Sequence, residues 1–94
     1  MALRMLEMVC ADERRSEVEE LLAEHEPLGL WHDRLMDQKV MVRILLPAEK
    51  AEAVLDLLES RFSWMEGFYV IVTAVETAVP LPKAERPPPA EPGA

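Results

Sequence analysis

The chain has 94 residues, half of them apolar, and sets 10 Lys and Arg against 18 Asp and Glu for a net charge of −8. That length supports one small domain with one core, and the acidic balance excludes a surface built for a phosphate backbone or an anionic membrane, since both need clustered cations. The single cysteine, Cys10, excludes an internal disulfide framework and a multi-cysteine zinc site, and no apolar run approaches the ~20 residues of a membrane helix.

Glu7 stands where a secretory signal would be apolar. The expectation is therefore a cytoplasmic protein that neither binds nucleic acid nor inserts directly into a membrane. Asn is absent and Gln38 is the one Gln, beside 14 Glu and 7 Arg. Such a composition fits a thermophilic protein and equally a GC-rich genome.

Residues 3–10 alternate, with Leu6, Met8 and Cys10 on one side and Leu3, Met5, Glu7 and Val9 on the other, which predicts a strand. Asp12 follows at an N-cap position, with Glu13 in the first turn. Val18, Leu21, Leu22 and His25 then share one face of an amphipathic helix over residues 12–25, ended by Pro27. Residues 28–34 read as a second, short strand, and Met36-Asp37-Gln38 as the turn after it.

Residues 39–46 show the clearest alternation. Val40, Val42, Ile44 and Leu46 oppose Lys39, Met41, Arg43 and Leu45. Pro47 suits the first turn of a second helix, whose apolar stripe is Ala51, Val54, Leu55, Leu58 and Phe62. Residues 68–76 form the last strand, with Phe68, Val70, Val72 and Ala74 facing one way and Tyr69, Ile71, Thr73 and Val75 the other.

Six of the eight prolines stand at position 80 or later. Residues 80–94 therefore read as a disordered, polyproline-type tail, and residues 1–79 as the folded domain. The tail's charges cancel (Lys83 and Arg86 against Glu85 and Glu91), so the domain carries the whole −8.

The order β-α-β-β-α-β with right-handed crossovers predicts an α+β, ferredoxin-like (ACT-like) sandwich. Its four-stranded antiparallel sheet would carry two helices on one face and have the first and third strands at its centre. The uncovered face would carry Met5, Glu7, Trp31, Met41, Arg43, Ile71 and Thr73, which is apolar for a surface left in water. Met5, Trp31, Met41, Arg43 and Ile71 are accordingly the expected interface residues of a homo-oligomer, a dimer or a trimer.

Three stretches carry a family resemblance: Leu6-Glu7-Met8-Val9, the run from Val42 through Pro47-Ala48-Glu49-Lys50 to Asp56, and Val75-Glu76-Thr77-Ala78-Val79-Pro80-Leu81-Pro82. Over residues 3–83 the chain resembles the N-terminal soluble domain of the domain of unknown function 389 family, hydrophobic prokaryotic membrane proteins. The resemblance implies a ferredoxin-like or ACT-like domain that normally precedes a multi-helix membrane region. The chain stops at Ala94 without one, so the expectation is a free-standing relative or a fragment, with a membrane protein as a candidate partner. The family has no established catalytic motif, and no site residue is carried over from it.

Local chemistry points to no reaction. Cys10, His25, His32 and Asp33 lack the short spacings of metal sites, so neither a metal nor a cofactor is expected. Cys10 reads as a small buried apolar residue, and His25 as a helix C-terminal residue. The glutamates of the first helix (Glu13, Glu17, Glu19, Glu20 and Glu24) read as a solvated face. Trp31, Phe62, Trp64, Met65 and Phe68 are the aromatic and Met residues available to line a pocket. Gly29, Gly67 and Gly93 are isolated and form no phosphate loop.

The leading expectation is a non-enzymatic regulatory or interaction module that self-associates through its open sheet face. The first alternative is an ACT-like sensor with a small molecule at a subunit interface. The second is a small ferredoxin-like enzyme with His32 in a cavity between paired sheets.

Overall fold

The computed structural model describes residues 2–79. Its elements are β1 (Leu3–Ala11), a 3-10 turn (Asp12–Arg14), α1 (Arg15–Ala23), β2 (Gly29–Arg34), β3 (Lys39–Pro47), α2 (Ala48–Phe62) and β4 (Tyr69–Val75). The strands form one sheet in the order β2-β3-β1-β4, and each neighbouring pair is antiparallel. This is the ferredoxin-like α+β arrangement, with β1 and β3 central as the sequence predicts. The proline-rich tail expected at residues 80–94 lies outside the described residues.

Alternation along the two central strands sets the core. Leu6, Met8 and Cys10 of β1 and Val40, Val42, Ile44 and Leu46 of β3 project to one side of the sheet. There they meet Val18 and Leu22 of α1 and Ala51, Val54, Leu58 and Phe62 of α2, the predicted helix stripes. The buried residues of this core are apolar, and among the described residues no polar side chain is buried with them. Removing this apolar surface from water is the main drive to fold.

The connections follow local chemistry, with corrections. Asp37 and Gln38 take φ of 60° and 57°, and the Lys39 N–H donates to the Met36 carbonyl at 3.3 Å. These are the features of a type I′ turn, whose twist suits a two-residue hairpin. Asp12 does not cap α1: neither helical start has a side-chain cap. The Asp12 N–H instead donates to the Gln38 carbonyl at 2.9 Å, and its carboxylate accepts from Arg15 Nε at 3.4 Å. The first helix is therefore tied at its start to the β2–β3 hairpin.

α1 also stops short of the predicted end. Its last residue is Ala23, and Glu26, at φ 50°, turns the chain left-handed before Pro27. Pro47 closes β3 and serves as the N-cap of α2 rather than its first residue.

Two helices do not cover four strands evenly. α2 lies over β1 and β3, and β4 stands at an edge. Val72 alternates toward the helix side, yet it is 45% exposed, and Ala74 beside it is exposed as well.

Candidate functional site

The sheet face away from the helices carries the predicted residues in rows that cross the strands. Trp31 of β2 pairs with Arg43 of β3, Arg43 with Glu7 of β1, and Glu7 with Ile71 of β4. The next row runs Asp33, Met41, Val9, Tyr69, and the row on the other side runs Gly29, Leu45, Met5, Thr73. All five expected interface residues thus lie on the open face: Trp31, Arg43 and Ile71 in one row, Met41 and Met5 in the rows beside it.

Arg43 sits in the middle of this face between two carboxylates. Its Nε donates to Glu7 Oε2 at 2.8 Å, and an Nη donates to Asp33. These two bonds, Glu7's first, raise the Arg43 pKa above its already high ordinary value. Such solvent-screened pairs add little stability, but they leave the arginine partnered; with two carboxylates on one guanidinium the cluster keeps one negative charge.

Trp31 is 49% exposed and folds back along β2 over Gly29. A Cβ at Gly29 would lie 2.8 Å from ring carbons Cζ2 and Cζ3 and closer still to Cη2. Gly29 is thus a seat for the indole, a role the sequence reading did not assign it. The available signal was a glycine two residues before a tryptophan in one strand, where both occupy the same face. At the far end of the face Leu3 and Leu45 are buried although they lie outside the core cluster. Ile71 at 41% and Tyr69 at 62% remain exposed.

A second feature is a cleft of about 210 Å³ where the end of β1, the start of β3 and the α2–β4 connection meet. Cys10 forms part of its lining, with Arg14, Lys39, Trp64, Met65, Gly67 and Phe68 around it. The Trp64 indole N–H donates to the Arg61 carbonyl at 2.6 Å, and the Arg14 guanidinium lies 5.2 Å from the ring centre, a cation–π arrangement. Gly67 takes φ +77° beside the Lys39 ammonium, a left-handed conformation that side-chain-bearing residues adopt with strain. Trp64, Met65 and Phe68 are among the residues the sequence offered for a pocket, with core and edge packing as their default reading. Arg14 and Lys39 were not, because three separate elements bring them there.

The other singled-out residues do not converge. Cys10 is buried, and burial, with Asp12 and Glu19 nearby, pushes its thiol above the ordinary range, which keeps it neutral. His32 alternates away from Trp31 and its Nδ1 lies 3.5 Å from Glu19 of α1. It therefore faces the helices, not a cavity between two open sheet faces, and the enzyme reading loses its candidate group. Among the described residues no three His, Cys, Asp or Glu side chains are grouped to hold a metal ion. Nor is any helix among them long and apolar enough to cross a membrane. Two of the first helix's glutamates pair with neighbouring cations: Glu17 with Arg14 at 3.0 Å and Glu19 with Arg15 at 2.8 Å.

No protein-family model and no curated protein matches the chain. Solved structures do. A Thermus thermophilus protein described as PII-like and signaling superposes with a TM-score of 0.69 at 15% identity, over 80% of this chain and 87% of that one. CPII, a nitrogen regulatory PII-like protein from Thiomonas intermedia K12 solved with ADP, AMP and bicarbonate, superposes with a TM-score of 0.69 at 18% identity, over 80% of this chain and 89% of that one. At these identities the likeness establishes a shared fold.

Proposed function

We propose that the chain is a non-enzymatic regulatory module that acts by self-association through the open face of its sheet. The observation that carries this reading is the row Trp31–Arg43–Glu7–Ile71. It combines a half-exposed tryptophan on a glycine seat with an arginine already ion-paired in place and an exposed isoleucine. A face with an aromatic anchor and its central arginine already ion-paired gives up less when water leaves it than one with a lone central charge. The helical layer is the reverse, with Glu17, Glu20, Glu24, Glu49, Asp56 and Glu59 all exposed. Two such layers would repel, so the sheet face is where copies of a −8 chain meet. The regulatory class is supported by the shared fold with PII-like proteins. The resemblance to the domain of unknown function 389 family supports a membrane protein as the regulated partner.

Met41 is the site for a direct test, since its register partners are Val9 and Asp33. Met41→Glu places a second carboxylate beside Asp33 on the proposed contact. The expected result is a lighter assembly by native mass spectrometry with unchanged circular dichroism. An unchanged mass overturns the reading.

The cleft beside Trp64 favours a second reading, a sensor whose ligand is bound near a subunit boundary. Its lining sets two cations, Arg14 and Lys39, against two carboxylates, Glu13 and Glu66, beside an aromatic ring, and one PII-like neighbour was solved with ADP, AMP and bicarbonate. At about 210 Å³ the cleft is smaller than the ~300–1,000 Å³ usual for a drug-sized ligand. It therefore takes a small polar ligand alone, or a nucleotide once a second subunit extends it. A ligand at 100 times its Kd adds ~2.7 kcal/mol, and each kcal/mol raises Tm by ~4–8 °C in a domain of this size. Thermal shifts with ADP, AMP and bicarbonate should show a rise of this order for one of the three, lost in Lys39→Ala. No rise with any of them removes the sensor reading.

A further inference from the structure

The two edges of the sheet are built differently. The β2 edge carries His32, Asp33 and Arg34, charged or polar groups of the kind that keep an edge from pairing with another chain. The β4 edge reads Tyr-Val-Ile-Val-Thr-Ala-Val from Tyr69 to Val75. It has no charge, no proline and no glycine, and its residues apart from Ala74 have high strand propensity. A regular, uncharged edge presents an open row of backbone donors and acceptors. In this chain the edge is also apolar on both sides. Ile71 and Tyr69 are exposed on the open face, and Val72 is 45% exposed on the helix side. Val72 borders a recess of about 290 Å³ with Ala51 and Leu55 of α2, rimmed by one cation and one carboxylate, Arg4 and Glu52.

We propose that β4 is the seam of a two-fold dimer, in which it pairs antiparallel with β4 of a second copy to make one eight-stranded sheet. The sequence of the strand is complementary to itself. In the register centred on Val72, Tyr69 faces Val75, Val70 faces Ala74, Ile71 faces Thr73, and Val72 faces Val72. Aromatic and β-branched pairs of this kind stabilise antiparallel strands. Beyond the strand, Glu76 falls opposite Phe68 rather than another carboxylate. Two copies of a −8 chain can thus approach along this line without opposing charges, and Val72 leaves water at the seam. The contact is isologous and uses each copy's β4 edge once, so it closes as a dimer instead of extending. It uses a different surface from the open face and does not rest on that reading.

The register supplies the test. Residues opposite across such a pair have Cβ atoms ~4.5–5.5 Å apart, within reach of a disulfide after a small adjustment, and Cys10 is buried away from the seam. Val72→Cys is expected to give a reducible covalent dimer under mild oxidation, in several-fold higher yield than Ala74→Cys, whose partner is Val70. Absence of the Val72→Cys dimer, or an equal yield from Ala74→Cys, overturns the proposal. Val72→Lys, at an exposed position, sets two ammonium groups face to face. It is expected to halve the mass of the assembly with unchanged circular dichroism, and a retained mass also overturns the proposal. The Val72→Cys cross-link is expected to survive Met41→Glu, so the seam and the open-face contact fail independently.

Discussion

Leu58→Ala is expected to destabilise the domain by about 2–5 kcal/mol, the range for truncating a fully buried leucine. Leu58 is 0% exposed and stands in the middle of the α2 stripe, where the helix meets the central strands. The loss has two parts: the transfer free energy of the removed carbons and the cavity left in a core that relaxes only in part. A domain of this size is stable by ~5–15 kcal/mol, so the variant gives up a large share. Urea unfolding should show a lower midpoint with an unchanged slope. A change below ~1 kcal/mol would mean that α2 does not pack on the sheet as described.

Gly29→Ala is expected to cost about 1–3 kcal/mol, the range for forcing an atom into occupied space, although one methyl in a strand is ordinarily harmless. The added Cβ falls among the ring carbons of Trp31, and the ring, half-exposed, must swing off the sheet. The effect should vanish in a Trp31→Ala background, where nothing occupies the space. A double-mutant cycle separates this account from simple strand propensity. A coupling of ~1 kcal/mol or more is expected, and additivity within ~0.3–0.5 kcal/mol would contradict it. Because the displaced ring is also the proposed anchor, Gly29→Ala should lighten the assembly as Met41→Glu does.

The layout of the domain was legible in the sequence because it follows from short periods. Val40, Val42, Ile44 and Leu46 alternate, and Val54, Leu58 and Phe62 recur at helical spacing, so the element order and the faces came with them. The open-face residues Met5, Trp31, Met41, Arg43 and Ile71 then followed from alternation alone. Contacts set by register did not follow. That Arg43 holds Glu7 and also Asp33 depends on how β1, β2 and β3 slide against one another. The cleft joining Arg14, Lys39 and Trp64 needs three connections placed in space. Asp12 looked like a helix cap because its type and position fit. The hairpin at Gln38 took its N–H and Arg15 its carboxylate, a tertiary contact overriding a local preference. The bare flank of β4 was hidden for a similar reason: the α2 stripe shows which face of the helix is buried, not which strands lie beneath it.

Self-association is the central claim, and native mass spectrometry of the untagged protein at micromolar concentration tests it most directly. The predicted spectrum shows particles of two or more whole chain masses. A spectrum of single chains across that range would contradict it, and would leave the paired Arg43, the seated Trp31 and the exposed Ile71 without a contact to serve.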